Sequence, residues 1–120
     1  MNTAFTISET AAARYVEAGP VELMRKADDV NLVIEACFSA RIRSALLYAS
    51  NMPSQFFDLS SGEAGTILQK LRNYGIRVAL VCPPENVRLS SRFPELIAEE
   101  NRQPYFRFFE SAEAAREWLA

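Results

Sequence analysis

The chain predicts an α/β fold built on a mostly parallel sheet. Two observations carry this expectation. Residues 45–49 (Ala-Leu-Leu-Tyr-Ala) and 78–81 (Val-Ala-Leu-Val) are short continuous apolar runs, the pattern of strands buried on both faces. Around them apolar residues recur at helical spacing, as in Val30, Val33, Ile34 and Cys37, or Ala64, Ile67, Leu68 and Leu71. Short apolar strands alternating with amphipathic helices imply parallel neighbours joined by right-handed crossovers.

Each element follows from its residues. Residues 4–8 alternate, with Phe5 and Ile7 on one face, and residues 13–17 carry Tyr15 and Val16. A turn at Glu9-Thr10-Ala11 joins them, so an antiparallel edge hairpin is expected. Gly19-Pro20 breaks that pattern. Asp28 or Asp29 is the expected cap of a first helix that runs to about Ala40. The first buried strand follows, then a loop from Ser50 to Ser60 containing Asn51, Pro53 and Ser54. A second helix is expected from about Ser61 to Tyr74, with Gln69, Lys70 and Arg72 outward and Gly75 ending it. Pro83-Pro84 stops the second buried strand. The third helix is expected over Ser90 to Asn101, with Leu96 and Ile97 inward. Pro94 falls in its first turn, where a missing N–H does little harm. Tyr105 to Phe109 reads as an aromatic strand. Ser111 then caps a last helix through Leu119, with Glu113 in its first turn. The order is β-β-α-β-α-β-α-β-α, with one domain expected over residues 1–120.

Composition narrows function. A chain of 120 residues that is 49% hydrophobic and 23% charged can form a packed core. Its formal net charge of -2 argues against a dedicated nucleic-acid face. Arg41 with Arg43, and Arg88 with Arg92, are read as solvated surface charge. There is no histidine, which excludes Ser-His-Asp and Cys-His catalysis and imidazole metal ligands. Cys37 and Cys82 have no metal-ligand spacing and fall in apolar stretches, so both are expected in the core. No basic neighbour is evident to activate Cys82. Glu35, Glu99 and Glu100 form no placed carboxylate pair. Gly62-Glu63-Ala64-Gly65 is neither a Walker nor a dinucleotide fingerprint, so no cofactor and no metal are expected. The expectation is a protein that is not an enzyme. Met1-Asn2-Thr3-Ala4 lacks a basic region followed by a long apolar core, and no apolar run approaches membrane-spanning length. A cytoplasmic protein without membrane contact is therefore expected.

The most informative stretch runs from Phe56 to Gly65. Two aromatics, Phe56 and Phe57, precede the cap-forming Asp58, Ser60 and Ser61, and Gly62 stands at the mouth of an apolar helix. Helix N-termini expose backbone N–H groups and attract negative charge. In open α/β sheets ligands gather beyond the carboxyl ends of the strands, where this helix begins. A hydroxyl at that place can cap the helix, bind an anion or accept a phosphoryl group. The capping role is the commoner one, and the two phenylalanines are of a kind that usually anchors a core.

The same residues carry a resemblance. Phe56-Phe57-Asp58-Leu59, Gly62, Ala64-Gly65, Ile67-Leu68-Gln69-Lys70 and Asn73-Tyr74 resemble a family of small bacterial proteins known as domain of unknown function 4180. The likeness extends loosely over the whole chain and implies bacterial origin with no assigned activity. The order of elements and the Ser-Ser-Gly turn are also similar to STAS domains, the anti-sigma-factor antagonists and their relatives. That resemblance implies a STAS-like fold and a regulatory protein-interaction module, in which a partner kinase phosphorylates a serine or threonine beside an aspartate. Asp58 then matches the aspartate, Ser60 or Ser61 the acceptor and Gly62 the following glycine. Leu59 separates Asp58 from the serines, where the STAS pattern has no residue, and Glu63-Ala64 lengthens the gap to Gly65 by one. The narrower family does not require serine at position 60, which favours Ser61.

Two other roles fit the residues. A cleft lined by Tyr48, Phe56, Phe57 and Cys82 at the carboxyl edge of the sheet would bind a small apolar or anionic ligand. A homodimer would use one apolar face of the last strand, where Phe106 and Phe108 share one side and Tyr105 and Phe109 the other.

Overall fold

The computed structural model describes residues 5–9, 13–19, 22–83, 93–100, 102 and 104–119. Leu46, Leu47 and Leu80 are fully buried, and they lie where the sequence runs apolar without alternation. These runs form β3 (Ser44–Tyr48) and β4 (Arg77–Val81), the two central strands of a five-stranded sheet. The hairpin is present as β1 (Phe5–Glu9) and β2 (Arg14–Ala18), paired antiparallel with Ile7 opposite Val16. Its turn residue Thr10, with Ala11, lies outside the described residues. The aromatic strand is β5 (Phe106–Phe109), one residue shorter than expected because Tyr105 precedes it. The spatial order is β1-β2-β3-β4-β5, and every pair from β2 onward is parallel.

Alternation along the strands divides the core into two layers. Val16, Ala18, Ala45, Leu47, Val78, Leu80 and Phe106 face one side. There they meet α1 (Asn31–Ala40), α2 (Glu63–Asn73) and α3 (Phe93–Glu100) through Val33, Ile67 and Phe93. Tyr15, Leu46, Ala79 and Val81 face the other side, where α4 (Ala112–Leu119) seals them with Ala115 and Leu119. Helices on both faces explain why the central strands show no polar alternation. The edge strand β5 has α3 on one face and α4 on the other, so its apolar side chains are used within the chain.

Several boundaries differ from expectation for physical reasons. The third helix is described from Phe93, with Pro94 at its second position, and Ser90 to Arg92 lie outside the described residues. Asp29 does not begin a helix. It sits in a 3-10 turn (Ala27–Val30), and its carboxylate accepts the N–H groups of Arg25 at 2.8 Å and Lys26 at 3.3 Å. The expected loop from Ser50 to Ser60 is instead wound into three short 3-10 turns, Ala49–Asn51, Ser54–Phe57 and Leu59–Ser61. Arg72 does not face solvent freely. Its guanidinium donates to both carboxylate oxygens of the buried Glu100, at 2.9 and 3.1 Å, tying α2 to α3.

Cys37 lies fully inside the larger core layer, as the sequence suggests. Burial pushes its thiol from an ordinary 9.0 up to about 12. Between those two values the unfolded chain has released the proton and the folded chain holds it, so stability falls as pH rises. Below pH 9 the thiol contributes no pH dependence. Urea unfolding at about pH 8 and about pH 10 is therefore expected to show an alkaline loss of stability. Cys37→Ala should flatten that loss. An identical loss in the variant would assign it to other groups, among them Tyr48, whose phenol is also pushed up by burial and by the Glu17 carboxylate beside it.

Candidate functional site

The start of α2 is built from local hydrogen bonds. Gly62 precedes the helix with φ +77, a left-handed conformation that glycine adopts without a Cβ penalty. Its carbonyl accepts the Thr66 N–H at 3.1 Å. Ser61 stands just before it, exposed, and its Oγ serves two partners. The hydroxyl donates to the Gln55 carbonyl at 2.7 Å and accepts the Glu63 N–H at 3.1 Å. Ser60 and Asp58 form a separate unit, in which Asp58 Oδ1 accepts the Ser60 hydroxyl at 2.7 Å and the Ser60 N–H at 3.1 Å. That unit explains why the helix begins at Glu63, two residues later than expected. The serines hold a 3-10 turn closed before helical bonding starts.

Asp58, Ser60, Ser61 and Gly62 are thus brought together on one exposed turn. Phe56 and Phe57 are not part of its surface. Both are buried, with ring centroids 5.0 Å apart and edge to face, and both pack on Phe93 of α3. They fix the turn from beneath.

Tyr48, Phe56, Phe57 and Cys82 do not line one cleft, which corrects that expectation. Strand alternation sends Leu47 toward α1 to α3 and Tyr48 toward α4, while Phe56 and Phe57 fill the opposite layer. Tyr48 instead donates to Glu17 Oε2 at 3.0 Å, and Arg116 of α4 pairs with the same oxygen at 3.2 Å. Burial pushes the Cys82 thiol up, which suits a packing role rather than a nucleophile.

The opposite edge of the sheet carries a feature the sequence reading missed. A cleft of about 410 Å3 at the amino ends of β4 and β5 is lined by Arg77, Arg102, Pro104, Tyr105, Arg107 and Trp118. Arg77 and Arg107 meet through register. Arg107 pairs with Ala79, so Arg77 is its diagonal neighbour on the α4 face. Their guanidinium carbons lie 4.4 and 5.4 Å from the centre of the Trp118 ring. The Arg77 guanidinium also donates to the Trp118 carbonyl at 3.1 Å, which caps the C-terminus of α4. Only the register between two strands would have revealed this group from sequence.

Among the described residues, no three His, Cys, Asp or Glu side chains converge where a metal ion would sit. No helix among them is long and apolar enough to cross a membrane. No curated protein and no solved structure matches the chain. The family described as Domain of unknown function (DUF4180) does match, over residues 10–119, from the residue after β1 to the last residue of α4. The specific helix-two motif and every element from β2 to α4 fall within that span, and the chain belongs to this family.

Proposed function

We propose that the chain is a non-enzymatic, cytoplasmic protein-interaction module of STAS type, with the start of α2 as its contact surface and phosphorylation of Ser61 by a partner kinase as its switch. The observation that supports this reading is the position of the Ser61 hydroxyl. It is exposed to a kinase, yet it is the joint of the turn, bonded to Gln55 on one side and Glu63 on the other. A phosphate there removes the donor to Gln55 and adds about two negative charges. It does so beside Asp58 and the first-turn Glu63, so like charges push the turn open. The sheet lies beneath and keeps its packing, so the surface offered to a partner changes while the fold remains. Ser60 is the second acceptor, with its hydroxyl already engaged by Asp58.

Capture of partners from the source cell with wild type, Ser61→Ala and Ser61→Glu, with phosphosite mapping by mass spectrometry, tests the reading. A partner lost or gained with Ser61→Glu, and phosphate on Ser61 or Ser60, is the expected result. Both variants are expected to stay folded, since losing an exposed cap costs about 1 kcal/mol. Unmodified serines and an unchanged partner set would make these residues helix caps only.

A further inference from the structure

The C-terminal ends of α1 and α2 carry an aromatic pair at the surface. Phe38 and Tyr74 are 54% and 47% exposed, and their rings meet edge to face with centroids 5.5 Å apart. Exposed aromatics in contact are the kind of patch that interfaces between proteins bury. Charge frames the pair along α1. Glu35 stands three residues before Phe38 and Arg41 three residues after it, and both are exposed. At about 1.5 Å per residue, the two charges lie roughly 4.5 Å to either side of Phe38 along the helix axis. Neither forms an ion pair with a described residue. Lys70 of α2 differs, because Asn31 Oδ1 accepts its ammonium at 3.2 Å. Arg41 is also the one non-glycine among the described residues with a positive φ, +57. It closes α1 by donating its N–H to the Phe38 carbonyl at 3.2 Å, and Ile42 donates to the Cys37 carbonyl at 2.9 Å. Glycine takes that conformation without the strain of a Cβ, so the closure alone does not call for arginine.

We propose that this patch binds a second copy of the chain, with α1 crossing α1 antiparallel about a two-fold axis at Phe38. The charge order selects this occupant. A two-fold rotation reverses α1, so Glu35 of each copy meets Arg41 of the other. A parallel crossing would set Glu35 on Glu35 and Arg41 on Arg41, and like charges repel. Phe38 of the two copies meet at the centre with Tyr74 beside each, where aromatic residues contribute most to an interface. Two helix ends per copy make a small contact, so the association is micromolar rather than nanomolar. It lies at the opposite end of the 11-residue α2 from the Ser61 turn, which stays open to another partner in the dimer.

Sedimentation equilibrium of the full chain, from about 2 to about 200 µM, is the measurement. A monomer–dimer equilibrium with a Kd of roughly 10 µM is the expected result, weakening as salt is added. Phe38→Ala is expected to weaken it at least about tenfold. The melting temperature of dilute Phe38→Ala should change little, because the ring is more exposed than buried. Glu35→Arg and Arg41→Glu each set like charges together, so each alone is expected to be monomeric over that range. An equimolar mixture of the two should dimerise at about wild-type strength, since each copy then presents the charge its neighbour lacks. Arg41→Gly removes the guanidinium and the strain together. It should keep or raise the melting temperature of the dilute chain and still weaken the dimer. Three results overturn the proposal. The first is a wild-type chain that stays monomeric up to roughly 500 µM. The second is a dimer that Phe38→Ala or Arg41→Gly leaves at wild-type strength, which would place the interface elsewhere. The third is a mixture of Glu35→Arg and Arg41→Glu, both folded by circular dichroism, that stays monomeric.

Discussion

Phe56→Ala is expected to lower the unfolding free energy by about 3–5 kcal/mol, the usual cost of deleting a fully buried aromatic ring. Phe56 is 0% exposed. Its ring stands 5.8 Å from Phe93 and 6.4 Å from Phe106, so it joins the turn before α2 to α3 and to β5. Phe93 and Phe106 in turn contact Phe108, at 5.9 and 5.2 Å, and the cluster continues along the edge strand. Alanine leaves a cavity among rings that are held by three separate elements and cannot all collapse inward. The measurement is urea denaturation. At a typical slope of about 1–3 kcal/mol per molar, the midpoint should fall by roughly 2 M. Phe56→Leu keeps most of the volume and should cost under about 1.5 kcal/mol. A Phe56→Ala loss below about 1 kcal/mol would mean the ring does not fill the core and would return it to the list of contact residues. The expected outcome instead separates the motif into parts. The phenylalanines hold the turn, and Asp58, Ser60 and Ser61 are what the turn displays.

That separation marks what a sequence can and cannot reveal here. β3 and β4 were legible because burial on both faces removes polar residues, a signal that is local and strong. The core stripe of α2 was legible for the same reason, with Ala64, Ile67, Leu68 and Leu71 all buried. The start of α2 was displaced because side-chain hydroxyls compete with helical bonding, and the outcome depends on whether Ser61 finds the Gln55 carbonyl six residues back. Tyr48 was misplaced toward Phe56 because both stand near one sheet edge in sequence, while alternation puts them on opposite faces. The arginine cleft needed strand order and register, since Arg77 and Arg107 belong to separate strands and Trp118 to a helix beyond both. The strand order was not read from sequence, because parallel strands joined by helices leave several neighbours open.

Asn51 is the residue that most escaped notice, and it carries the second large effect. A polar residue in a Pro- and Ser-containing segment reads as exposed loop, yet Asn51 is fully buried. Its Oδ1 accepts the Tyr48 N–H at 2.7 Å, and its Nδ2 donates to the Gly19 carbonyl at 2.7 Å. Its own carbonyl accepts the Met24 N–H at 2.8 Å. One amide therefore closes the end of β3 and stitches it to the chain leaving β2, which is what holds these parallel neighbours at their carboxyl ends. Asn51→Ala keeps the backbone bond but strands the Tyr48 N–H and the Gly19 carbonyl, so a loss of about 2–4 kcal/mol is expected. Asn51→Asp gives the sharper measurement. The aspartate still accepts from Tyr48, but ionised it offers nothing to Gly19 and buries a charge. Protonated, it regains the donor. Its folded-state pKa should therefore lie above the unfolded value, and the variant should lose stability as pH rises through that folded pKa. Urea midpoints of Asn51→Asp and wild type should converge toward about pH 4 and diverge toward about pH 7. A constant gap across that range would place the side-chain amide outside the two bonds that define it, and the clamp would then have to lie in the Met24 backbone contact alone.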